Sequence, residues 1–75
     1  MQTSSEILTK VQAVTARHAL LWVHNESMHL RVIAIQIEDG LPDWRAEVKS
    51  GDLRRGIQGL IDRLQIMLDT DLRTP

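Results

Sequence analysis

Cysteine, tyrosine and phenylalanine are absent from this chain of 75 residues. Without cysteine there is no disulfide and no thiolate metal site, so two of the usual braces of a small domain are missing. A chain this short buries only about 60% of the surface its unfolded form exposes, which leaves self-association or a partner as the remaining source of support. Charge of one sign is lacking too. Nine Lys and Arg stand against ten Asp and Glu, for a formal net charge of −1, so there is no general electrostatic pull toward nucleic acid or anionic lipid. The longest apolar run, Ala19 to Val23, is far too short to span a membrane and does not read as a signal peptide. Cytoplasmic residence is the expectation. What is present is ordinary for a globular domain: 43% hydrophobic and 25% charged residues, too apolar a mixture to stay disordered.

The punctuation falls at Glu38-Asp39-Gly40-Leu41-Pro42-Asp43 and at Ser50-Gly51-Asp52, two clusters of turn-forming residues. Ahead of them, Thr3-Ser4-Ser5-Glu6 has the spacing of a capping box, and Ile7, Leu8, Val11 and Val14 recur at helical intervals. These predict a first helix over about residues 4–17. Residues 28–38 carry the β-branched set Val32, Ile33, Ile35 and Ile37, which predicts a long strand. A loop at Asp39 to Pro42 then pairs that strand with one over residues 43–49, setting Ile37 across from Trp44, Ile35 from Ala46 and Ile33 from Val48. Residues 19–24 supply a third strand through a turn at Glu26-Ser27, with Val23 across from Leu30 and Leu21 from Val32. If the first helix instead continues to Asn25, the sheet has two strands and a second copy completes it.

A last helix is expected over residues 52–68, with Asp52 as its N-cap. Leu53, Ile57, Leu60, Ile61, Leu64, Met67 and Leu68 form one apolar stripe, and Arg54, Arg55, Gln58, Asp62 and Gln65 lie opposite. The tail over residues 69–75 is polar and expected to fray. The expected fold is therefore a single α+β domain, α-β-β-β-α, in which a three-stranded antiparallel meander is packed by two helices; the alternative is α-β-β-α completing its sheet as a dimer.

His24, Glu26 and His29 are candidate metal ligands. Their spacing is not that of the metalloprotease H-E-x-x-H, whose histidines lie one helical turn apart. In a tight hairpin, however, the two histidines become cross-strand neighbours with the carboxylate at the tip. Exposed polar residues at a strand end are the plainer reading. Glu38, Asp39 and Asp43 crowd one turn without the alternating ligands of a calcium loop, and read as a solvated acidic turn. Ser4, Ser5, Ser27 and Ser50 are the serines, none in a nucleophile-elbow setting. No phosphate-binding glycine loop or dinucleotide fingerprint occurs. No enzyme and no cofactor are expected.

Gly56-Ile57-Gln58-Gly59, ahead of Leu60, Ile61 and Leu64, resembles the GxxG loop of a KH domain, whose backbone amides grip a nucleic-acid strand. The resemblance covers about a quarter of the chain, lacks a basic residue between the glycines and lacks a strand after the helix. The expected element order is also similar to that of the double-stranded RNA-binding domain, where basic residues at the start of the last helix hold phosphates. Only Arg54 and Arg55 match. These resemblances imply a nucleic-acid surface at Arg54, Arg55, Gly56 and Gly59. The plainer reading is a solvated helical face, with the glycines allowing close approach of a second backbone at about 1 kcal/mol each relative to alanine.

Trp22 and Trp44 are the two aromatic residues. Trp44 is assigned to the core. Trp22, on the strand face that carries His24, His29 and Arg31, is expected to make a cation-π pair on a partly exposed surface. Gly59, Arg63 and Ile66 lie off the helical stripe and mark a second part of that surface. A non-enzymatic protein-binding module follows as the expected function, an inhibitor, adaptor or regulatory accessory subunit, with a protein partner or a homodimer and no membrane. Nucleic-acid binding is the alternative.

Overall fold

From Lys10 to Asp39 there is neither glycine nor proline, and the computed structural model forms that whole stretch into one helix. The structure describes residues 7–73. Helix α1 runs Lys10–Asp39, helix α2 runs Asp43–Ile66, and one wider turn, Met67–Asp71, follows it. The molecule is a helical hairpin, 55 × 20 × 16 Å, with no strand among the described residues.

This overturns the α+β expectation, in both its three-stranded and its two-stranded form. The stretches expected as strands, residues 19–24 and 28–38, lie within α1, and residues 43–49 open α2. The physical reason is that β-branched side chains lower helix propensity by only a few tenths of a kcal/mol each, whereas interrupting a continuous thirty-residue helix leaves about four N–H and four C=O groups without helical partners at the break. Glu26-Ser27 contains no residue that would stop it.

The N-terminal cap sits later than expected. Thr9 accepts the Gln12 backbone N–H at 3.1 Å, and Gln12 Oε1 accepts the Thr9 N–H at 2.9 Å, a reciprocal capping box. The Thr3 and Glu6 box lies outside the described residues. At the other end the acidic turn holds as a turn: Gly40 takes φ +102, which an L side chain resists, and donates its N–H to the Ile37 carbonyl at 3.1 Å. Pro42 then starts α2, its carbonyl accepting from Arg45 and Ala46, with Asp43 at the positive end of the dipole. Asp52 is not a cap: with Ser50 and Gly51 it lies inside α2, where it pairs with exposed Arg55.

The seam between the helices follows a 3.5-residue interval. On α1 the less exposed positions include Ala16, Ala19, Val23, Glu26, Leu30, Ile33 and Ile37; on α2 they include Ala46, Lys49, Leu53, Gly56, Leu60, Leu64 and Met67. Among the described residues only Leu30, Ile33 and Met67 are buried. The stripe expected on the last helix is thereby split. Leu53, Leu60, Leu64 and Met67 line the seam, while Ile57, Ile61 and Leu68 remain exposed. The expected loose tail is held as far as Arg73. Leu72 donates to the Met67 carbonyl at 2.8 Å, the five-residue bond of a wide turn, and Gln12 Nε2 donates to the Arg73 carbonyl at 3.1 Å.

Gly56 is the closest approach of the two helices. A Cβ there would lie 2.2 Å from Leu30 Cδ2 and within 3.2 Å of its Cγ, so the whole buried leucine would have to move. Gly59, one turn on, would meet nothing within 4 Å. We therefore expect Gly59→Ala to raise stability by about 1 kcal/mol through helix propensity. Gly56→Ala should lower it by about 1 kcal/mol, overpacking of up to ~3 kcal/mol outweighing the same propensity gain. Urea unfolding of both variants at matched protein concentration checks the opposite signs.

Candidate functional site

Trp22 and Arg63 meet across the hairpin. The Arg63 guanidinium carbon lies 5.0 Å from the Trp22 ring centroid, and the ring is 41% exposed. Helical spacing sets Gly59 and Ile66 on the same side of α2 as Arg63, four residues before it and three after, and Ile66 is exposed. Thr15, His18, Ala19 and Asp71 border the shallow groove beside this pair. Four of the five residues expected at a partner surface thus share one side of the molecule. The fifth does not. Arg31 follows Trp22 by nine residues on the same helix, which at about 100° per residue puts it half a turn round. The cation over Trp22 is Arg63, which no strand pairing would have brought there. Trp44, assigned to the core, is 69% exposed at the start of α2.

The metal-ligand set is not assembled. Glu26 and His29, three residues apart, share a face of α1 and border one groove, but His24 lies two and five residues from them and falls on a different side of the helix. Among the described residues no group of three His, Cys, Asp or Glu is placed to hold a metal ion. Ser27, the serine nearest the histidines, donates its hydroxyl to the His24 carbonyl at 2.8 Å, a bond along the helix and not to an imidazole.

The nucleic-acid features lose the architecture that gave them meaning. Gly56 to Gly59 is continuous helix, so these glycines present no loop of free amides as a KH loop does, and among the described residues no sheet stands behind the helix as in a double-stranded RNA-binding domain. Gly56 is filled by Leu30, Arg55 is paired with Asp52, and Arg54 is exposed.

One surface was missed at the level of sequence. Val14, Leu21, Met28 and Ile35 recur every seven residues along α1, and all are exposed, between 42% and 61%. Val11 and Val32, three residues before Val14 and Ile35, are 75% and 51% exposed. Together these make an apolar stripe at 3.5-residue spacing on the more exposed side of α1, interrupted by His18, which also borders the Trp22–Arg63 groove, and by Asn25; Val32 lies at the edge of the groove beside Gly56. The seven-residue recurrence was the available signal. It was hidden because these residues divide between an expected first helix, which takes Val11 and Val14, and two expected strands, which take Leu21 and then Met28, Val32 and Ile35.

Comparison with protein-family models, with curated proteins and with solved structures found no match. Function is accordingly argued from geometry. No helix among the described residues is long and apolar enough to cross a membrane.

The Trp22 contact has a direct spectroscopic check. In a Trp44→Phe background, Arg63→Ala should red-shift Trp22 emission and cost about 0.5–1 kcal/mol of stability, the worth of an exposed cation-π pair. Arg31→Ala should leave the emission where it is.

Proposed function

We propose that this chain is a small, non-enzymatic protein-binding module that works by self-association. The observation that carries this is the ratio of covered to uncovered apolar surface. Leu30, Ile33 and Met67 are buried, while Val11, Val14, Leu21, Val32, Trp44, Val48, Ile61, Ile66 and Leu68 are among the large apolar side chains left exposed. The accessible surface is 6144 Å², against about 4700 Å² for a compact monomer of this mass. The radius of gyration is 17.1 Å, against about 11 Å for a compact domain of this length.

Uncovered apolar surface on that scale marks an association surface. A second consideration supports a binding role over a catalytic one: the grooves at Gly56 and at Trp22 are open and shallow, and the ionisable groups beside them include cation-carboxylate neighbours already satisfied by one another. Cytoplasmic residence belongs to the same reading, and a regulatory or accessory role suits a module whose surface is its main feature.

Sedimentation over a wide range of protein concentration tests the proposal. Association should appear as a rise from the one-chain mass of 8.6 kDa toward a multiple of it, accompanied by loss of hydrophobic-dye binding. A species of one-chain mass throughout, cooperatively folded and binding no dye, would refute it.

A further inference from the structure

Helix α1 is apolar on two opposite faces. One is spent on α2. The other, the stripe of Val11, Val14, Leu21, Met28, Val32 and Ile35, is exposed along its length among the described residues. Resting on the self-association proposed above, we infer that this stripe is covered by the same stripe of a second copy, with the two α1 helices antiparallel.

Three observations support a second copy in that orientation. The spacing of the stripe is self-complementary. With His18 and Asn25 included, its intervals alternate between three and four residues, so reversing it about Val23 maps it onto itself. Val11 then layers with the partner's Ile35, Val14 with the partner's Val32, His18 with the partner's Met28 and Leu21 with the partner's Asn25. The two polar residues are each set against an apolar one, and the ends of the stripe favour this register, because a shift of one layer would leave an apolar pair at each end uncovered.

Charge selects the direction. Lys10 opens α1 and Glu38 and Asp39 close it, all exposed. A parallel copy aligns the helix dipoles and brings the two Glu38-Asp39 ends together. An antiparallel copy sets Lys10 near the partner's Glu38 and opposes the dipoles. The same pairing sets Arg17 against the partner's Arg31, which offsets the Lys10 attraction, so the preference for the antiparallel direction rests on the opposed dipoles and on keeping the two Glu38-Asp39 ends apart.

Area is sufficient. The chain's accessible surface of 6144 Å² exceeds the roughly 4700 Å² of a compact monomer of this mass, an excess spread over the whole hairpin to which this stripe contributes, and a stable interface buries about 800 Å² from each partner.

The absence of cysteine makes single-site spin labelling unambiguous. Label distances should be measured for Ala13→Cys and His24→Cys in separate samples of the full chain. In the antiparallel pair, Ala13 lies beside position 33 of the partner, so its labels should be separated by about 30 Å along the axis at 1.5 Å per residue. His24 lies beside position 22, so its labels should fall within about 15 Å, set mainly by the spacing between helix axes. Leu21→Glu with Met28→Glu should shift sedimentation to the one-chain mass. Short distances at both sites, or a dimer that survives the double glutamate change, would overturn this geometry while leaving self-association standing. A one-chain mass for the labelled parent at all concentrations would overturn both. Because the distances are read on the unaltered stripe, misfolding of the glutamate variant cannot mimic support.

Discussion

In a two-helix hairpin each helix has one neighbour, so one face of each is covered and the rest meets water. That constraint governs this molecule, because α1 carries apolar side chains on two faces. Its inner face holds Leu30, Ile33 and Ile37 against α2, and its outer face carries Val14, Leu21, Met28 and Ile35 into solvent. A helix apolar on opposite sides belongs in the interior of a larger bundle. The high surface area, the extended shape and the small buried core among the described residues go together with a helix that α2 covers on one face only.

Helix α2 is the weaker member and is adapted to the seam. Gly51, Gly56 and Gly59 lie inside it, each costing about 1 kcal/mol of helix propensity relative to alanine. Gly56 offsets that cost by admitting Leu30, which is how one of the three buried side chains finds its place. The capped start of α1 and the wide turn after α2 are joined through Gln12 and the Arg73 carbonyl, closing the end of the hairpin opposite the Gly40 turn. Between these fixed ends, Arg63 over Trp22 is a polar contact where a longer apolar seam would otherwise run.

The Glu38 to Pro42 turn was legible because its residues act locally: Gly40 alone suits a positive φ, and Pro42 starts a helix well. The C-terminal half of α2 was legible because its leucines and isoleucines have helical spacing. The long strand over 28–38 was misread because two helical faces, written along one chain, interleave. Ile33 and Ile37 belong to the inner seam, Val32 and Ile35 to the outer, and read in order they imitate an alternating, β-branched strand. The lack of glycine and proline between Lys10 and Asp39 was the better guide, since the turn of a meander there would rest on Asn25 and Ser27 alone. Of the expected surface, Trp22 and Arg63 do come together, although their joint placement depends on a hairpin register that spacing within either segment does not encode. Arg31 was assigned beside Trp22 on strand geometry and is on the far side for the same reason the strand is absent.

If α1 depends on cover from outside the chain, its helicity must depend on concentration. Far-UV circular dichroism on serial dilution, recorded with sedimentation on the same samples, measures this directly. The expected result is that helical signal falls in step with the loss of the two-chain species, because an uncovered α1 exposes too much apolar surface to hold its length. Full helicity retained in a one-chain species at the lowest concentration would contradict it, and would mean that the seam with α2 is enough.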